Sequence, residues 1–300
     1  MYEKYFERNY GVFSDEEQTR IRKSKIVIVG SGGIGGLVAV ILARSGIENF
    51  ILYDFDEYSI SNLNRQIGCF QETIGRKKAE VIKEQILAIN PQANVEAHSR
   101  AVCIEEMDTV ILEGDVFLPA ADEWPLSIAM LNRAKELGKP AIMAYPAGAL
   151  ARVCVFLPES PYAGECLVQP YKANYEELKK FMTNPQNRQV SYYYRTSGSW
   201  TQDWFDDFVV GKKPHPQICP SVWVTGSLAA LEIVKLVSKK WKPVAAPRYW
   251  EITAESAKIR KFGIGRRLVS RMISRPSGLK IIPFLSKNPG LVRLFTRMIK

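Results

Sequence analysis

The fold class of this chain is decided by the stretch Val27-Ile28-Val29-Gly30-Ser31-Gly32-Gly33-Ile34-Gly35. The β-branched residues at 25–29 predict a buried strand, and the apolar residues at 37–43 predict a buried helix that ends near Gly46. A glycine turn between a strand and a helix brings backbone N–H groups and the positive end of the helix dipole to one point. Gly30, Gly32, Gly33 and Gly35 therefore predict a phosphate site.

A second predicted strand, 49–53, is followed directly by Asp54. A carboxylate at this position can accept hydrogen bonds from a ribose, as it does in dinucleotide-binding proteins. The two strands and the helix between them predict a doubly wound, Rossmann-like α/β fold with a mostly parallel sheet. The glycine loop alone is equally compatible with a protein that binds NAD or FAD.

A cluster of cations follows the ribose-binding strand, and it favours a different nucleotide. Arg65, Lys77 and Lys78 lie within a short span, with Asn62 and Gln66 beside them. Several long cations suit a triphosphate, whose charge must be held while a phosphoryl bond breaks. The two lysines begin a predicted helix, 77–88; we interpret Lys77 as a solvated surface residue and Lys78 as a phosphate ligand.

Four motifs in order resemble the ThiF/MoeB/HesA superfamily of ubiquitin-activating-enzyme-like adenylyltransferases. They are Gly-x-Gly-Gly-x-Gly at 30–35, Asp-x-Asp at 54–56, Ser-Asn-Leu-x-Arg-Gln at 61–66 and Gly-x-x-Lys at 75–78. The resemblance covers residues 5–255 and implies an α/β fold that binds ATP·Mg²⁺ and transfers AMP to a carboxylate. It places the glycines, Asp54, Asp56 and Gln66 at the nucleotide, with Asn62, Arg65 and Lys78 on the phosphates.

Two further site residues are implied by the same resemblance. Arg8 matches an arginine that reaches the ATP site of the partner in a homodimer, although it could equally be a surface residue. Asp122 follows a predicted strand, 115–118, where the family carries a magnesium-linked aspartate. Its neighbours Ala120, Ala121 and Glu123 depart from the family pattern. Glu123 is either a second metal ligand or an exposed anion.

The rest of the chain divides into a domain, an insertion and a tail. Further strands are predicted at 141–144, 152–157 and 249–252, with a helix at 225–236, so we assign residues 1–255 to one domain. Residues 158–220 are rich in aromatic side chains, including Tyr192, Tyr193 and Tyr194. In the family a crossover loop here covers the active site; its aromatic residues either select the substrate or form a satellite core.

The five cysteines are dispersed, and no Cys-x-x-Cys pair occurs. We therefore expect no structural zinc, in contrast to many members of the superfamily, and we expect a reducing, cytoplasmic environment.

Cys219, with His215 four residues before it, is the best candidate for a nucleophile that accepts the acyl group as a thioester, and Cys166 is the next. Most cysteines are simply small buried residues. No Gly-x-Ser-x-Gly motif supports a serine hydrolase.

The formal charge of +10 belongs to the C-terminal tail, 256–300. This segment contains twelve Lys or Arg and no acid, which leaves 29 cations against 31 acids in the remainder. Ile264, Leu268, Met272 and Ile273 have helical spacing, and residues 291–298 repeat the pattern. From 258 onward the tail fits either an anionic membrane surface or an acidic partner, or it docks on its own domain or across a dimer. Nucleic acid is disfavoured, and no apolar run approaches a membrane-spanning length.

These observations predict an enzyme that adenylates a carboxylate with ATP and magnesium and releases pyrophosphate. The carboxylate is the C-terminus of a small ubiquitin-like carrier or of a peptide, and the acyl group then passes to an amine or to sulfur. Arg65, Lys78, Asp122 and Arg8 are the expected catalytic residues, with Cys219 as a weaker candidate. The alternatives are a nicotinamide-dependent oxidoreductase and a non-catalytic scaffold that keeps the fold.

Overall fold

A single mixed β-sheet forms the centre of the molecule, in a computed structural model that describes residues 1–196 and 199–275. Its strands are β1 (Lys25–Val29), β2 (Asn49–Tyr53), β3 (Asn94–His98), β4 (Val116–Pro119), β5 (Ala141–Ala147), β6 (Leu150–Phe156), β7 (Arg248–Ile252) and β8 (Ala257–Lys261). They lie in the order β3-β2-β1-β4-β5-β6-β7-β8.

The first five strands are parallel, and the last three continue the sheet with antiparallel pairing. The chain builds outward from β1 through β2 to β3 and then returns to the other side of β1 with β4. This reversal is the switch point at which open α/β sheets bind ligands. The predicted Rossmann-like fold with a mostly parallel sheet is confirmed.

Twelve α-helices occur in the described part of the chain. They are α1 (Tyr2–Tyr5), α2 (Asp15–Lys23), α3 (Gly35–Arg44), α4 (Lys78–Ile89), α5 (Met107–Leu112), α6 (Trp124–Glu136), α7 (Ala163–Leu167), α8 (Tyr175–Thr183), α9 (Pro185–Thr196), α10 (Gln202–Val209), α11 (Cys219–Ser238) and α12 (Ile264–Ile273).

The central strands of the sheet are buried on both faces, because β1, β2 and β4 carry apolar side chains at nearly every position. Ile26 and Ile28 of β1 pack in one core with α3, α4 and α11, whereas Val27 and Val29 pack in the other with α5 and α6. Helices thus cover both sides of the sheet. This arrangement leaves the carboxyl ends of β1, β2 and β4 at one edge, together with the loops that follow them.

The insertion between β6 and α11 forms a third, smaller core from α8, α9 and α10. Phe181, Tyr192, Phe205 and Phe208 are buried in it, with Trp200 packed against them. Of the two predicted roles for the aromatic residues of this segment, substrate selection and a satellite core, the satellite core describes most of the residues named here. The side chains of Tyr193 and Tyr194 lie outside the described part of the structure.

Helix α11 differs in length from its prediction. It begins at Cys219, six residues before the expected start, and its 20 residues have a mean hydropathy of 1.4 over the most apolar 18-residue window. By length and composition alone this helix could span a membrane, which the sequence did not predict. In this fold 61% of that window is buried, and the helix packs along α3, β5 and β6.

Part of the predicted tail extends the domain beyond residue 255. Strand β8 pairs with β7, and α12 packs against α7. The apolar residues predicted at helical spacing do lie on one helix, α12, but they differ in environment: Ile273 is buried, whereas Ile264 and Leu268 are 75% and 65% exposed. Arg266 is buried instead, because its guanidinium reaches the Cys166 carbonyl at 3.2 Å. The repeat at 291–298 lies outside the described residues.

The glycine loop gives a test of the fold. A Cβ added at Gly35 would lie 1.8 Å from the Gly30 carbonyl oxygen, whereas one at Gly32 would meet only the Gln66 side chain at 3.6 Å. We expect Gly35→Ala to lower the free energy of unfolding by about 3 kcal/mol or more, because backbone must move. Gly32→Ala is the matched control, and urea unfolding of both variants is the measurement. Equal stability of the two variants would contradict the loop geometry.

Candidate active site

A cavity of about 580 Å³ opens at the switch point of the sheet. Its walls include Gly30 and Gly32 after β1, Asp54 and Asp56 after β2, and Asp122 after β4. The loop after β1 and the loop after β4 are in close contact, since a Cβ at Gly30 would lie 2.6 Å from the Ala120 carbonyl oxygen. Gly30 also has a φ of +97°, a backbone conformation that favours glycine.

Asp54 is held at the base of this cavity by the backbone. Its Oδ2 accepts a hydrogen bond from the Ser31 N–H at 2.6 Å, and its Oδ1 accepts one from the Asp56 N–H at 2.8 Å. Burial raises the pKa of the Asp54 carboxyl, although both hydrogen bonds favour the charged form. A carboxyl whose pKa is raised by folding costs stability as the pH rises through that pKa. The fold therefore maintains a buried carboxylate at some cost.

Lys78 places its ammonium in the same cavity, at the first position of α4. Its side chain is 6% exposed, and its Nζ lies 2.9 Å from Asp56 Oδ2. An ammonium carries three donors, so this ion pair leaves capacity for a ligand. Lys77 differs: its side chain is 43% exposed and pairs with Glu57 at 3.0 Å. Only Lys78 of the two lines the cavity.

The segment 61–66 lies against the glycine loop rather than in the cavity wall. Gln66 packs over Gly32, and the Arg65 stem lies 3.9 Å from the Cβ position of Gly33. Arg65 Nη1 donates to the Ser61 carbonyl and to Asn64 Oδ1, while Asn62 Oδ1 accepts from the Ser59 N–H. The described residues that line the cavity do not include Asn62, Arg65 or Gln66.

Two buried oxygens beside the loop have no hydrogen-bond partner within the described structure: Ser31 Oγ and Gln66 Oε1. Buried polar atoms in native proteins usually have partners, so unpaired ones often mark a ligand site. The first N–H groups of a helix also lack intrahelical partners, and α3 begins here with Gly35. The loop thus offers the donors that a nucleotide phosphate requires.

Asp122 and Glu123 lie on the opposite wall, after β4. Asp122 is exposed and lines the cavity. Glu123 Oε1 accepts a hydrogen bond from the Tyr175 hydroxyl at 2.5 Å. No group of three or more His, Cys, Asp or Glu side chains that could hold a metal ion occurs in residues 1–196 and 199–275. One or two carboxylates completed by ligand phosphates are nevertheless the donor set that Mg²⁺ commonly takes.

Two parts of the cavity wall were not predicted from the sequence. The loop 100–105 follows β3, and Tyr175 is the first residue of α8 in the insertion. Arg100 ties this loop down because it pairs with Glu106 and lowers the pKa of that carboxyl to about 2. The position of the loop at the carboxyl end of a parallel strand was the available signal. No local pattern marks Tyr175.

Arg8 lies away from this cavity within its own chain, and Cys219 is not among the described residues that line the cavity. Arg8 is exposed in a 3-10 helix, and the neighbouring Asn9 bonds to the Ser45 carbonyl at 3.0 Å, beyond the end of α3. The cavity lies at the other end of that ten-residue helix, about 15 Å away at ~1.5 Å per residue. Cys219 begins α11 and is partly exposed.

His215, which the sequence placed near Cys219, is held in the aromatic core of the insertion. Its Nε2 lies 3.0 Å from the Tyr145 hydroxyl, and its Nδ1 lies 3.3 Å from Gln217 Nε2. The Trp200 ring packs edge-on against the imidazole at 4.9 Å. These contacts explain His215 as a packed and hydrogen-bonded residue.

Fold and cavity together define a doubly wound α/β protein whose switch-point cavity has a cationic and a carboxylate wall. The ThiF family profile matches residues 6–268, and the chain belongs to the ThiF family. It is 27% identical over 234 residues to the sulfur carrier protein ThiS adenylyltransferase of Escherichia coli K12, covering 78% of this chain and 80% of that protein. Likewise, it is 26% identical over 219 residues to the molybdopterin-synthase adenylyltransferase of Haemophilus influenzae, covering 73% and 76%.

Solved structures show the same fold. The E. coli MccB structure with MccA-N7isoASN superposes with a TM-score of 0.66 at 22% identity, covering 87% of this chain and 72% of that one. A PaaA structure superposes with a TM-score of 0.59 at 20% identity, covering 83% and 66%.

Cysteine reactivity tests the position of the cavity. Cys103 is exposed and lines it, whereas burial raises the pKa of Cys166 to about 12 and that of Cys154 well above its usual value. At pH 8 a thiol with a pKa near 12 is ionised to about one part in 10⁴, so a maleimide should label Cys103 and leave Cys154 and Cys166 unlabelled.

A nucleotide in the cavity should slow the labelling of Cys103 and leave that of Cys219 unchanged, as peptide mass mapping would show. Equal protection of both thiols would place the nucleotide elsewhere or indicate a general change in conformation.

Proposed function

We propose that this chain is an ATP-dependent adenylyltransferase that activates a carboxylate. The observation that carries the proposal is one cavity at the switch point, bounded by the glycine loop, Asp54, the Lys78–Asp56 pair and Asp122. Family membership supports it, as do the two relatives named as adenylyltransferases. Asp54 would accept hydrogen bonds from the ribose, and Lys78 would donate to the phosphates.

In the proposed reaction a carboxylate oxygen attacks the α-phosphorus of ATP. A new O–P bond forms, the bond between the α- and β-phosphates breaks, and pyrophosphate leaves. Magnesium bound to Asp122 and the phosphates would supply charge stabilisation. An amine or sulfur nucleophile then attacks the acyl carbon, loses its proton, and displaces AMP. Fixed cations near the developing charge are the expected source of rate enhancement.

The proposed substrate is the C-terminal carboxylate of a small carrier protein or of a peptide. One relative is named for the sulfur carrier protein ThiS, and one of the MccB structures contains MccA-N7isoASN. The insertion supports a large substrate because α8 reaches the cavity through Tyr175. The five free cysteines agree with a reducing, cytoplasmic location. Cys219 remains the proposed residue for any thioester step.

Arg65 needs a different conformation, or a ligand near Gly33, to act on a phosphate. Its Nη1 bonds only to exposed groups, Ser61 O and Asn64 Oδ1, which a phosphate can replace at little cost. A nicotinamide-dependent oxidoreductase has no need of these cations. Isothermal titration of ATP·Mg²⁺ and of NAD into wild type and Arg65→Ala separates the two functions. ATP binding that is lost in the variant, with no NAD binding, is the expected result.

Lys78 and Lys77 provide a matched pair for the phosphate assignment. We expect Lys78→Met to weaken ATP binding about 10- to 100-fold, since a hydrogen bond to a charged group contributes about 1.5–3 kcal/mol. Lys77→Met should change it less than about twofold, because that side chain pairs with Glu57 outside the cavity. ATP-dependent pyrophosphate exchange gives a second readout. Equal effects of the two variants would overturn the role of Lys78.

Asp122 is tested through the metal. We expect Asp122→Asn to raise the magnesium concentration needed for pyrophosphate exchange by about tenfold or more, because a neutral amide is a weaker ligand for a hard cation. Asp115→Asn is the control, since Asp115 bonds to the Lys25 N–H at the opposite edge of the sheet. An unchanged magnesium requirement in Asp122→Asn would remove Asp122 from the metal site.

Arg8 requires a second subunit to reach a cavity, and we propose a homodimer. Helix α11 supports this: it is apolar and mostly buried, yet Trp223, Val224 and Leu231 are 42%, 37% and 42% exposed. If Arg8 acts across the dimer, mixing Arg8→Ala with Lys78→Met subunits restores one intact site per mixed dimer. Random exchange of subunits should then recover about a quarter of the wild-type sites. No recovery despite verified exchange would exclude action across the dimer.

A further inference from the structure

The outward face of helix α12 combines apolar and cationic side chains. Ile264 and Leu268 are 75% and 65% exposed and lie one turn apart. Arg267 and Arg271 flank them, with side chains 46% and 54% exposed. Large aliphatic side chains at such exposure on a structured helix are unusual when they adjoin one another.

The opposite face of the helix is fixed to the protein. Arg266 donates to the Cys166 carbonyl at 3.2 Å, and Ser270 Oγ donates to the Gln169 carbonyl at 2.6 Å. Ile273 is 4% exposed in the core of the insertion. At 100° per residue these three anchors lie opposite Ile264 and Leu268. The helix therefore cannot rotate to bury its aliphatic pair without breaking its buried hydrogen bonds.

The surroundings of the helix are cationic and contain an aromatic ring. Glu165 faces Arg267 and Arg271 at 3.4 and 3.1 Å, but it is 3% exposed and lies beneath them. The ring of Tyr171 lies between two cations, 5.1 Å from the Arg271 guanidinium and 5.6 Å from the Lys172 ammonium. A tyrosine among cations beside exposed aliphatic residues is typical of a protein surface at lipid headgroups.

The composition of the C-terminal segment agrees with the same partner. Residues 256–300 contain twelve cations and no acid, whereas the rest of the chain carries 29 cations and 31 acids. A polybasic segment gains about 1 kcal/mol per Lys or Arg near an anionic bilayer. An acidic protein would complement the charge, but it would not explain an aliphatic pair directed at solvent among the arginines.

We propose that the outward face of α12, formed by Ile264, Leu268, Arg267, Arg271 and Tyr171, binds the surface of an anionic lipid bilayer. The aliphatic pair enters the boundary between headgroups and acyl chains, and the cations contact the lipid phosphates. This binding would hold the enzyme at a membrane with its nucleotide cavity in solution. The inference stands independently of the adenylation reaction.

The test is flotation of the full chain with vesicles of phosphatidylcholine, alone or mixed with phosphatidylglycerol. We expect binding to the mixed vesicles only, and a loss of binding as salt shortens the Debye length from about 10 Å at 0.1 M to about 3 Å at 1 M. Equal binding to both kinds of vesicle, or binding to neither, would overturn the proposal.

The variant Ile264→Ser/Leu268→Ser tests the aliphatic pair. We expect it to lower the vesicle partition coefficient about tenfold or more, with an unchanged melting temperature in buffer because both side chains already face water. The control is Val210→Ser, another aliphatic residue, 56% exposed, in the insertion. Unchanged partitioning would overturn the proposal; a melting temperature lowered by several degrees would also overturn it, since another part of the protein would then cover this face.

The variant Lys172→Gln/Arg275→Gln tests the cations near this face: Lys172 adjoins Tyr171, and Arg275 is exposed two residues after the end of α12. It leaves Arg267 and Arg271 paired with Glu165. We expect about a fivefold loss of partitioning per cation, compared with no loss in the control Lys212→Gln/Lys213→Gln. Polyglutamate and a DNA duplex serve as competitors for an acidic protein and for nucleic acid. Binding of either as tight as binding to the vesicles, and equally sensitive to Ile264→Ser/Leu268→Ser, would replace the lipid partner with that class.

Discussion

The close approach of two loops at the switch point is the constraint on which the site depends. The turn after β1 meets the turn after β4 so tightly that a Cβ at Gly30 would lie 2.6 Å from the Ala120 carbonyl. The same turn is also held by the residue after β2, because the Ser31 N–H donates a hydrogen bond to the Asp54 carboxylate. Any side chain at Gly30 would push β1 and β4 apart or displace the Asp54 carboxylate. The shape of the cavity therefore depends on the packing of these two strands.

The charged groups of the cavity are only partly paired with groups of the protein, which leaves hydrogen-bonding capacity for a ligand. Asp54 is buried and its charge is held by backbone N–H groups, whereas Lys78 is buried against a half-exposed carboxylate, Asp56. A buried ammonium with one ionic partner retains donors for an anion. Ser31 Oγ and Gln66 Oε1 have the same character, as buried atoms without partners in the described structure. The cavity and the glycine loop beside it thus offer polar groups that a ligand could pair with.

The insertion and the C-terminal segment give the common fold its individual features. The insertion builds its own aromatic core, which holds His215, and it contributes Tyr175 to the wall of the cavity. Helix α12 then packs on the insertion through buried polar contacts to the Cys166 and Gln169 carbonyls. Because these contacts anchor the polar side of the helix, its aliphatic side faces outward. The resulting surface is separate from the cavity at the switch point, whose described lining includes no residue of α12.

The sequence by itself determined the parts that depend on neighbours along the chain: strands β1 and β2 at their observed bounds, the glycine turn, the fold class and the family. Periodicity and turn chemistry are local, so they can be read from residues a few positions apart. Only the tertiary structure decided that Lys78, rather than Arg65, lines the cavity, that Tyr175 and the loop 100–105 close it, and that α12 exposes Ile264. These features depend on contacts between residues that are far apart in the sequence: Glu123 and Tyr175 are 52 positions apart, and Cys166 and Arg266 are 100 apart. No local pattern encodes which of its two faces a helix buries when polar anchors compete with aliphatic side chains.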